Sequence, residues 1–299
     1  MSLPLSQWLR DTTAELAWSE SSKLDAELIL CHVLDVDRTH LYAWPEQTLS
    51  SSQLAQLESL KQRRATREPM AYLLGKREFW SLELAVNNNV LVPRPETESL
   101  VELVSAALEL NPSSASPFPG KQSHIVEGPV LDAGTGSGAI AIALAVQQQS
   151  CSSEPVSIFA SDRSEKALQV AAQNAAANGV HSIQFVRSNW LSAFCNHSFA
   201  IIASNPPYLS QNDAHLQNSE ISHEPVDALV SGKDGLNALT QLINDAIRVG
   251  KPGCLLALEH GHEQGEAVRE LMRNNQYSNV NTHVDFAQRE RITSGYCPG

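Results

Sequence analysis

The sequence predicts an α/β protein, a mostly parallel sheet covered by helices on both faces, preceded by a small helical bundle and a β-hairpin. Three observations predict it. From residue 130 onward, short apolar runs of strand length alternate with longer segments of helical periodicity. Before residue 76 the apolar residues follow only the helical period. Between 76 and 95 a partly alternating stretch is interrupted by turn residues and then resumes, which is the pattern of a hairpin.

Residues 1–75 read as a helical domain. Ser22-x-x-Asp25 has the form of a capping box ahead of Leu24, Leu28, Ile29 and Val33. Ser51 or Ser52 is expected to cap a second helix with Leu54, Leu57 and Leu60 on one face. Trp8, Trp18 and Trp44 are expected as core or inter-helix anchors. The segment has no catalytic signature and reads as a recognition or packing module. In the hairpin, residues 76–95, Phe79-Trp80, Leu82, Leu84 and Val86 form the first arm, Asn87-Asn88-Asn89 the interruption and Val90-Leu91-Val92 the second arm. Pro95 near a helix start, with Glu96 and Glu98 in the first turn, complements the helix dipole of the segment Leu100 to Leu110. Residues 111–129 are turn-rich and are expected to be a flexible loop.

Strands are expected at Val130–Asp132, Val156–Ala160, Ile183–Arg187, Phe199–Ala203 and Cys254–Leu258. Helices are expected at Ala139–Gln147, Ser164–Asn178 and Gly235–Val249. A closing hairpin follows at Val280–Asp285 and Arg289–Tyr296. The alternation assigns 96–299 to one large domain.

Composition narrows the function classes. At 299 residues the chain has room for one large domain and one small one. Net charge is −12, whereas a protein held to nucleic acid through phosphates usually carries a basic footprint. The one basic cluster, Lys61, Arg63, Arg64 and Arg67, reads as the solvated face of a helix. A protein partner or a small molecule is therefore expected, with no direct nucleic-acid binding. Five scattered cysteines without a C-x-x-C pair argue for reduced thiols in the cytoplasm and against a zinc site. His260 and His262 read as a loop pair beside Gly261, and no metal is expected. No apolar run approaches the ~20 residues of a membrane span, and Met1 to Arg10 lacks the signal-peptide pattern.

Four strand ends carry the candidate chemistry. Asp132-Ala-Gly134-Thr135-Gly136-Ser-Gly138 joins a strand to a helix, where glycines allow a tight turn and a close ligand. Gly134-x-Gly136-x-x-Ala139 also satisfies the looser dinucleotide pattern. However, Asp132 at the strand end would repel a pyrophosphate and attract a cationic ligand, and nothing downstream suggests hydride transfer. Asp162 ends the next strand, where a carboxylate can accept both hydroxyls of a ribose; it is also compatible with a helix N-cap role near Ser164. Asn189-Trp190 follows the third strand, where an amide could read an adenine edge and an indole could cover its face.

The fourth is Asn205-Pro206-Pro207-Tyr208, after the apolar run Phe199 to Ala203. Two consecutive prolines end the strand, since neither can donate to a sheet. What remains is an amide side chain, carbonyls and an aromatic ring, an acceptor-rich cluster suited to a planar –NH2 group. Taken alone, the stretch fits a Pro-Pro turn with a packed tyrosine equally well.

Together these features resemble a class I methyltransferase that uses S-adenosyl-L-methionine, and Asn-Pro-Pro-Tyr resembles the signature of enzymes that methylate planar amino groups. Asp25-Ala-Glu-Leu-Ile, Glu68-Pro-Met-Ala-Tyr72-Leu-Leu-Gly75, Val92-Pro-Arg-Pro-Glu-Thr-Glu98, Glu224-Pro-Val-Asp-Ala-Leu229, Asp234-Gly235-Leu236 and Leu258-Glu-His-Gly261 extend the likeness. Over nearly the whole chain it is similar to the release factor glutamine methyltransferase (PrmC/HemK) family. The Arg94 to Glu98 stretch favours that family over the sister ribosomal protein L3 glutamine methyltransferases. A DNA adenine-N6 methyltransferase shares the signature, but the basic groove it would want is not visible.

The resemblance implies a Rossmann-like class I methyltransferase sheet with a small N-terminal helical bundle domain for substrate recognition. It implies S-adenosyl-L-methionine as cofactor, bound by Asp132, Gly134, Thr135, Gly136, Gly138, Asp162, Asn189, Trp190 and Asn205. It implies the glutamine of the Gly-Gly-Gln motif in class I peptide-chain release factors as substrate, with Asn205 and the Pro206 carbonyl holding its amide. Pro207 and Tyr208 complete the substrate wall. A cytoplasmic monomer is expected. The sequence departs from the family at Asn189, where an acidic residue is common, and at Gln288, where a glycine is usual.

Overall fold

The computed structural model describes residues 3–108, 127–151, 155–217 and 220–299. They divide into two compact units, Met1–Lys76 with His215–His223, and Arg77–Ala214 with Glu224–Gly299.

The first unit contains β1 (Leu3–Pro4), α1 (Leu5–Glu15), α2 (Ser22–Leu34), α3 (Arg38–Ala43), β2 (Thr48–Leu49), α4 (Ser51–Ala65) and α5 (Met70–Leu74). Leu5 and Trp8 of α1, Ile29 and Leu30 of α2, and Leu57 of α4 meet in its core. Ser50, not Ser51 or Ser52, caps α4: its Oγ accepts from Gln53 N at 3.3 Å while Gln53 Oε1 accepts from Ser50 N at 2.9 Å. Ser22 and Asp25 make no capping box. The residue at the α2 N-cap is Ser21, which makes no side-chain cap bond. Asp25 instead accepts from Ser19 Oγ at 2.8 Å and Ser21 Oγ at 2.9 Å.

Asp25 also receives Arg64, whose Nε and Nη2 lie 2.9 and 2.7 Å from Oδ2. Arg64 is only 2% exposed, so this position is not part of a solvated basic face. A buried guanidinium needs a paired carboxylate, and a single basic run does not reveal which of its members has one. Trp18 lies beneath Arg64 and Arg67, each 4.8 Å from its ring centre, and Trp44 is 62% exposed, not an anchor. Glu220 of the 215–223 segment reaches Arg64 Nη2 at 2.6 Å.

The second unit opens within the hairpin of β3 (Lys76–Phe79) and β4 (Leu82–Ala85), one residue after β3 begins. Its turn is at Trp80 and Ser81, with φ of 54° and 59°, and not at Asn87–Asn89. Such two-residue turns usually signal themselves by Asn-Gly, so Trp-Ser gives no warning; here Glu98 Oε1 accepts from Trp80 N at 2.9 Å. Asn87 closes a local turn, its Oδ1 accepting from Asn89 N at 2.9 Å, and Val90 to Val92 form no strand. A 3-10 turn at Pro95–Thr97 leads into α6 (Glu98–Ala107). Most of the expected 111–129 loop, and residues 109 and 110 of the helix before it, lie outside the described residues.

There follow β5 (Val130–Ala133), α7 (Ala139–Gln149), β6 (Ile158–Asp162), α8 (Glu165–Ala177), β7 (Gln184–Arg187), β8 (Phe199–Ser204), α9 (Asn237–Val249), β9 (Gly250–Glu259), α10 (Gly265–Asn274), β10 (Ser278–Val284) and β11 (Glu290–Tyr296). The sheet order is β10-β11-β9-β8-β5-β6-β7; β11 runs antiparallel to both its neighbours, β10 and β9, and β9, β8, β5, β6 and β7 are parallel. Successive residues of a strand point to opposite faces, so Val130 joins the core of α6 and α7 while Leu131 and Ala133 join that of α9 and α10. With both faces covered, β8 is buried along its whole length. At the closing hairpin Gln288 has φ of 61°, the conformation that the family's usual glycine adopts freely. Asp285 Oδ1 holds that turn by accepting from Ala287 N and Arg289 N at 2.8 and 2.9 Å.

The chain leaves β5 towards β6 and β7 on one side, then crosses to β8 and β9 on the other. This reversal opens a crevice beyond the carboxyl ends of the strands, where ligands of such sheets bind.

Candidate active site

All four chemistry-bearing strand ends of the sequence converge on this crevice. A cavity of about 510 Å3 is lined there by Gly134, Thr135, Gly136, Asp162, Asn189, Trp190, Asn205 and Pro207, within the usual range for small-molecule sites. Asp132, Gly138, Pro206 and Tyr208 are not on its surface. Gly138 sits at the N-cap of α7.

The glycine loop is tied to β6. Gly134 N and Thr135 N both donate to Ser161 O at 2.8 Å, Gly138 N donates to Thr135 O at 2.8 Å, and Gly136 N donates to Asp162 Oδ2 at 3.0 Å. These N–H groups are engaged within the protein, so the loop is not a cradle of free donors for a pyrophosphate. Gly134 has φ of 78°, a backbone conformation that favours glycine, and a Cβ there would stand 3.2 Å from the Trp190 ring, which would have to give by a few tenths of an ångström.

Asp162 ends β6 with both carboxylate oxygens engaged once, Oδ1 accepting from Ser164 N at 2.8 Å. Each oxygen keeps capacity for another donor, as a pair of ribose hydroxyls would require. Burial raises its pKa, and the backbone N–H groups of Ser164, Gly136 and Arg163, with the Arg163 charge, oppose that rise. Ser164 in turn caps α8 through Ala167 N at 3.2 Å. Ser188 shapes the third strand end: its Oγ donates to Trp190 O at 2.7 Å, and Trp190 has φ of 50°.

Asp132 is fully buried beneath the loop, its Oδ2 accepting from Thr135 Oγ1 at 2.6 Å and Ala141 N at 3.2 Å, while Oδ1 has no partner. It therefore shapes the loop from below. Burial pushes its carboxyl from 3.8 up to about 7, and the Asp162 charge pushes the same way against the two hydrogen bonds. The folded protein thus holds a proton here that the unfolded chain has released. Its contribution to stability is complete below the unfolded pKa and is lost as pH rises towards about 7. Asp132→Asn, which stays neutral, is expected to gain on the order of a few kcal/mol relative to wild type between roughly pH 5 and pH 8. Urea unfolding of the ligand-free proteins reads this difference; a pH-independent difference contradicts it.

Asn205 follows β8 directly. Its Nδ2 donates to Thr97 Oγ1 at 3.0 Å, and its buried Oδ1 has no partner. Buried amide oxygens are nearly always hydrogen-bonded, and this one belongs to a cavity-lining residue. Next to it, Tyr208 packs into the α9 core, and its carbonyl accepts from Gln264 Nε2 at 3.0 Å. Burial, then the Glu259 charge, pushes its phenol up to about 12, so the ring is neutral and acts by packing.

Thr97 and Glu259 had no role in the sequence reading. Nor did Glu224, which is buried, accepts from Val92 N at 3.0 Å and pairs with Arg94 on the cavity wall. The stretches at 92–98, 224–229 and 258–261 carried the family likeness, and that was the available signal. For S-adenosyl-L-methionine the residues fit: a carboxylate for ribose, an indole and an amide for adenine, and the acceptor Asn205 Oδ1 for an amino group.

Comparison with known proteins agrees in length and in fold. Residues 7–75 match the model of the PrmC N-terminal domain, and residues 120–233 match that of the methyltransferase small domain. The chain is 39% identical over 298 residues, 99% of its length and 97% of the relative's, to the release factor glutamine methyltransferase of Vibrio cholerae. It is 40% identical over 288 residues, 96% of its length and 97% of the relative's, to that of Escherichia coli strain K12. Among solved structures, the hMettl16 catalytic domain in complex with a 3'UTR hairpin covers 79% of this chain and 81% of its own, at 13% identity and a TM-score of 0.53. That likeness is one of fold alone.

Proposed function

This chain belongs to the release factor glutamine methyltransferase family, and from that premise we propose that it methylates the side-chain amide nitrogen (N5) of the Gly-Gly-Gln glutamine in class I release factors. It is an S-adenosylmethionine-dependent protein glutamine methyltransferase. The observation that carries the finer reading is Asn205 Oδ1, a buried acceptor without a partner on a cavity-lining residue.

A carboxamide nitrogen is a weak nucleophile, because its lone pair is delocalised into the carbonyl. S-adenosylmethionine supplies a methyl group already activated on a sulfonium. The protein's task is alignment and a local field. In the proposal, Asn205 Oδ1 accepts one N–H bond of the glutamine, and the Pro206 carbonyl, on a residue set back from the cavity lining, is the acceptor assigned to the other. This aims the nitrogen and stabilises the positive charge that grows on it. Tyr208 and Pro207 exclude water beside it. No strong base is needed, since the alkylated nitrogen is acidic and loses its proton afterwards. Asp162 holds the ribose, and Asn189 with Trp190 holds the adenine.

The acidic balance of the chain supports a protein partner over nucleic acid, and no helix among the described residues is long and apolar enough to cross a membrane. The proposal takes the enzyme as a cytoplasmic monomer whose N-terminal helical unit docks the release factor. The relatives' names do not favour the ribosomal protein L3 or DNA adenine alternatives. Incubating the enzyme with the cofactor and a class I release factor tests the reading: the release factor should gain the mass of one methyl group, and an unchanged mass contradicts it.

A further inference from the structure

We propose that Gln264 is a positioning residue for methyl transfer, a carboxamide clamp that fixes the backbone of the Asn205-Pro206-Pro207-Tyr208 segment through the Tyr208 carbonyl. The inference rests on the reading of that segment as the wall that meets the substrate amide.

The composition of the segment calls for an outside hold. Between the end of β8 at Ser204 and the bridge Leu209↔Val230, Pro206 and Pro207 have no N–H with which to tie themselves to a neighbour. Such a stretch can still offer backbone acceptors, and the Tyr208 carbonyl accepts from Gln264 Nε2 at 3.0 Å. Backbone pairing resumes one residue later, where Leu209 N donates to Leu229 O and Leu209 O accepts from Ser231 N, both at 2.9 Å.

Gln264 is prepared for this task by its own turn. It stands at the N-cap of α10, yet its side chain makes no capping bond. Instead Gly261 N donates to Oε1 at 2.8 Å, while Gln264 N donates to Gly261 O at 2.9 Å. A backbone N–H only donates, so the amide end at Gly261 has to be Oε1. At the other end Nε2 meets two carbonyls, which only accept: Tyr208 O, and less closely Asp234 O at 3.4 Å. The carboxamide therefore fits in one orientation. The turn has a second tie, since the buried His260 has Nδ1 2.8 Å from Gly261 O and donates to it.

One side chain thus joins the loop after β8, the loop after β9 and the turn before α9. The space around it is tight. A Cβ on Gly235 would lie 2.7 Å from Nε2, and one on Gly261 would lie 3.0 Å from Oε1. Shape alone does not explain the residue, because its polarity matters at both ends. Gln264→Glu keeps an acceptor for Gly261 but sets a carboxylate oxygen against the Tyr208 and Asp234 carbonyls. Gln264→Met keeps the length and loses both bonds.

The test compares these two variants. A residue that only stabilised its own turn would be hurt more by Gln264→Met, whereas the clamp is hurt at least as much by Gln264→Glu. On a release factor, kcat should fall by on the order of tenfold with Gln264→Met and at least as far with Gln264→Glu. KM for the release factor and affinity for S-adenosylmethionine should stay within a few-fold of wild type. Amide hydrogen exchange of the cofactor-free proteins should accelerate across residues 205–211 in both variants. A smaller kcat loss with Gln264→Glu than with Gln264→Met, a loss of cofactor affinity as large as the loss of kcat, or unchanged exchange overturns the clamp. Should Gln264→Met not fold, Gln264→Glu decides alone, and wild-type kcat or wild-type exchange in it overturns the clamp. Accelerated exchange in the variants, beside a wild-type enzyme that leaves the release factor unmethylated, upholds the clamp and sinks the reading beneath it.

Discussion

Asn205→Ala is expected to lower turnover on a release factor by on the order of a hundredfold or more, while its affinity for S-adenosylmethionine stays within a few-fold of wild type. The reasoning is local. Asn205 lines the cavity, its buried Oδ1 has no partner, and its Nδ2 is spent on Thr97. Removing it takes nothing from Asp162 or from the glycine loop, whose backbone bonds run to Ser161 and Asp162. What is lost is the contact that aims the nucleophile and meets its developing charge, so the effect falls on kcat. Calorimetry with the cofactor and a methylation time course separate the two quantities. Near-normal turnover, or a loss of cofactor affinity as large as the loss of turnover, contradicts the assignment.

Gly235→Ala is expected to damage the same step from a distance. Gly235 has φ of 80°, and a Cβ added there would lie 2.1 Å from the Tyr208 carbonyl oxygen and 2.9 Å from its carbon. It would also stand 2.7 Å from Gln264 Nε2, the group that holds that carbonyl. Backbone on both sides cannot yield as a side chain end can, so the Tyr208 peptide has to move. A shift of about an ångström in a positioning element costs on the order of a hundredfold in rate. Turnover should therefore fall by about that much, with cofactor affinity retained and some loss of thermal stability. Gly179→Ala is the matched control: φ is 70° there, but nothing stands within 4 Å, so only the backbone strain of ~1–2 kcal/mol applies. If the two variants behave alike in turnover, the collision with Tyr208 is not what matters.

The sheet was legible because its strands are short apolar runs ended by residues that cannot continue them. Pro206-Pro207 stops β8 and the glycine loop stops β5, so the strand ends and their chemistry could be read together. Local signals of other kinds misled. The hairpin turns at Trp80-Ser81, two residues with no intrinsic taste for positive φ, and not at the asparagines that have one. Arg64 looks like its basic neighbours in sequence, yet its partner Asp25 lies 39 residues away. The support of Asn205 is equally non-local, since Thr97 precedes it by 108 residues. Asp132 is expected among the cofactor-binding residues and lies beneath the loop, because a strand end fixes a residue's place in the sheet but not whether its side chain turns outward or under the loop.

On this reading Asn205 presents an acceptor to a glutamine amide. Fragment-ion mass spectrometry of the release factor, after parallel incubation with S-adenosylmethionine and either wild-type enzyme or Asn205→Ala, is the decisive measurement. One methyl group is expected on the Gly-Gly-Gln glutamine side chain with the wild type, and at most a trace after the same time with the variant. A methyl group on any other residue, or equal methylation by both enzymes, would contradict it.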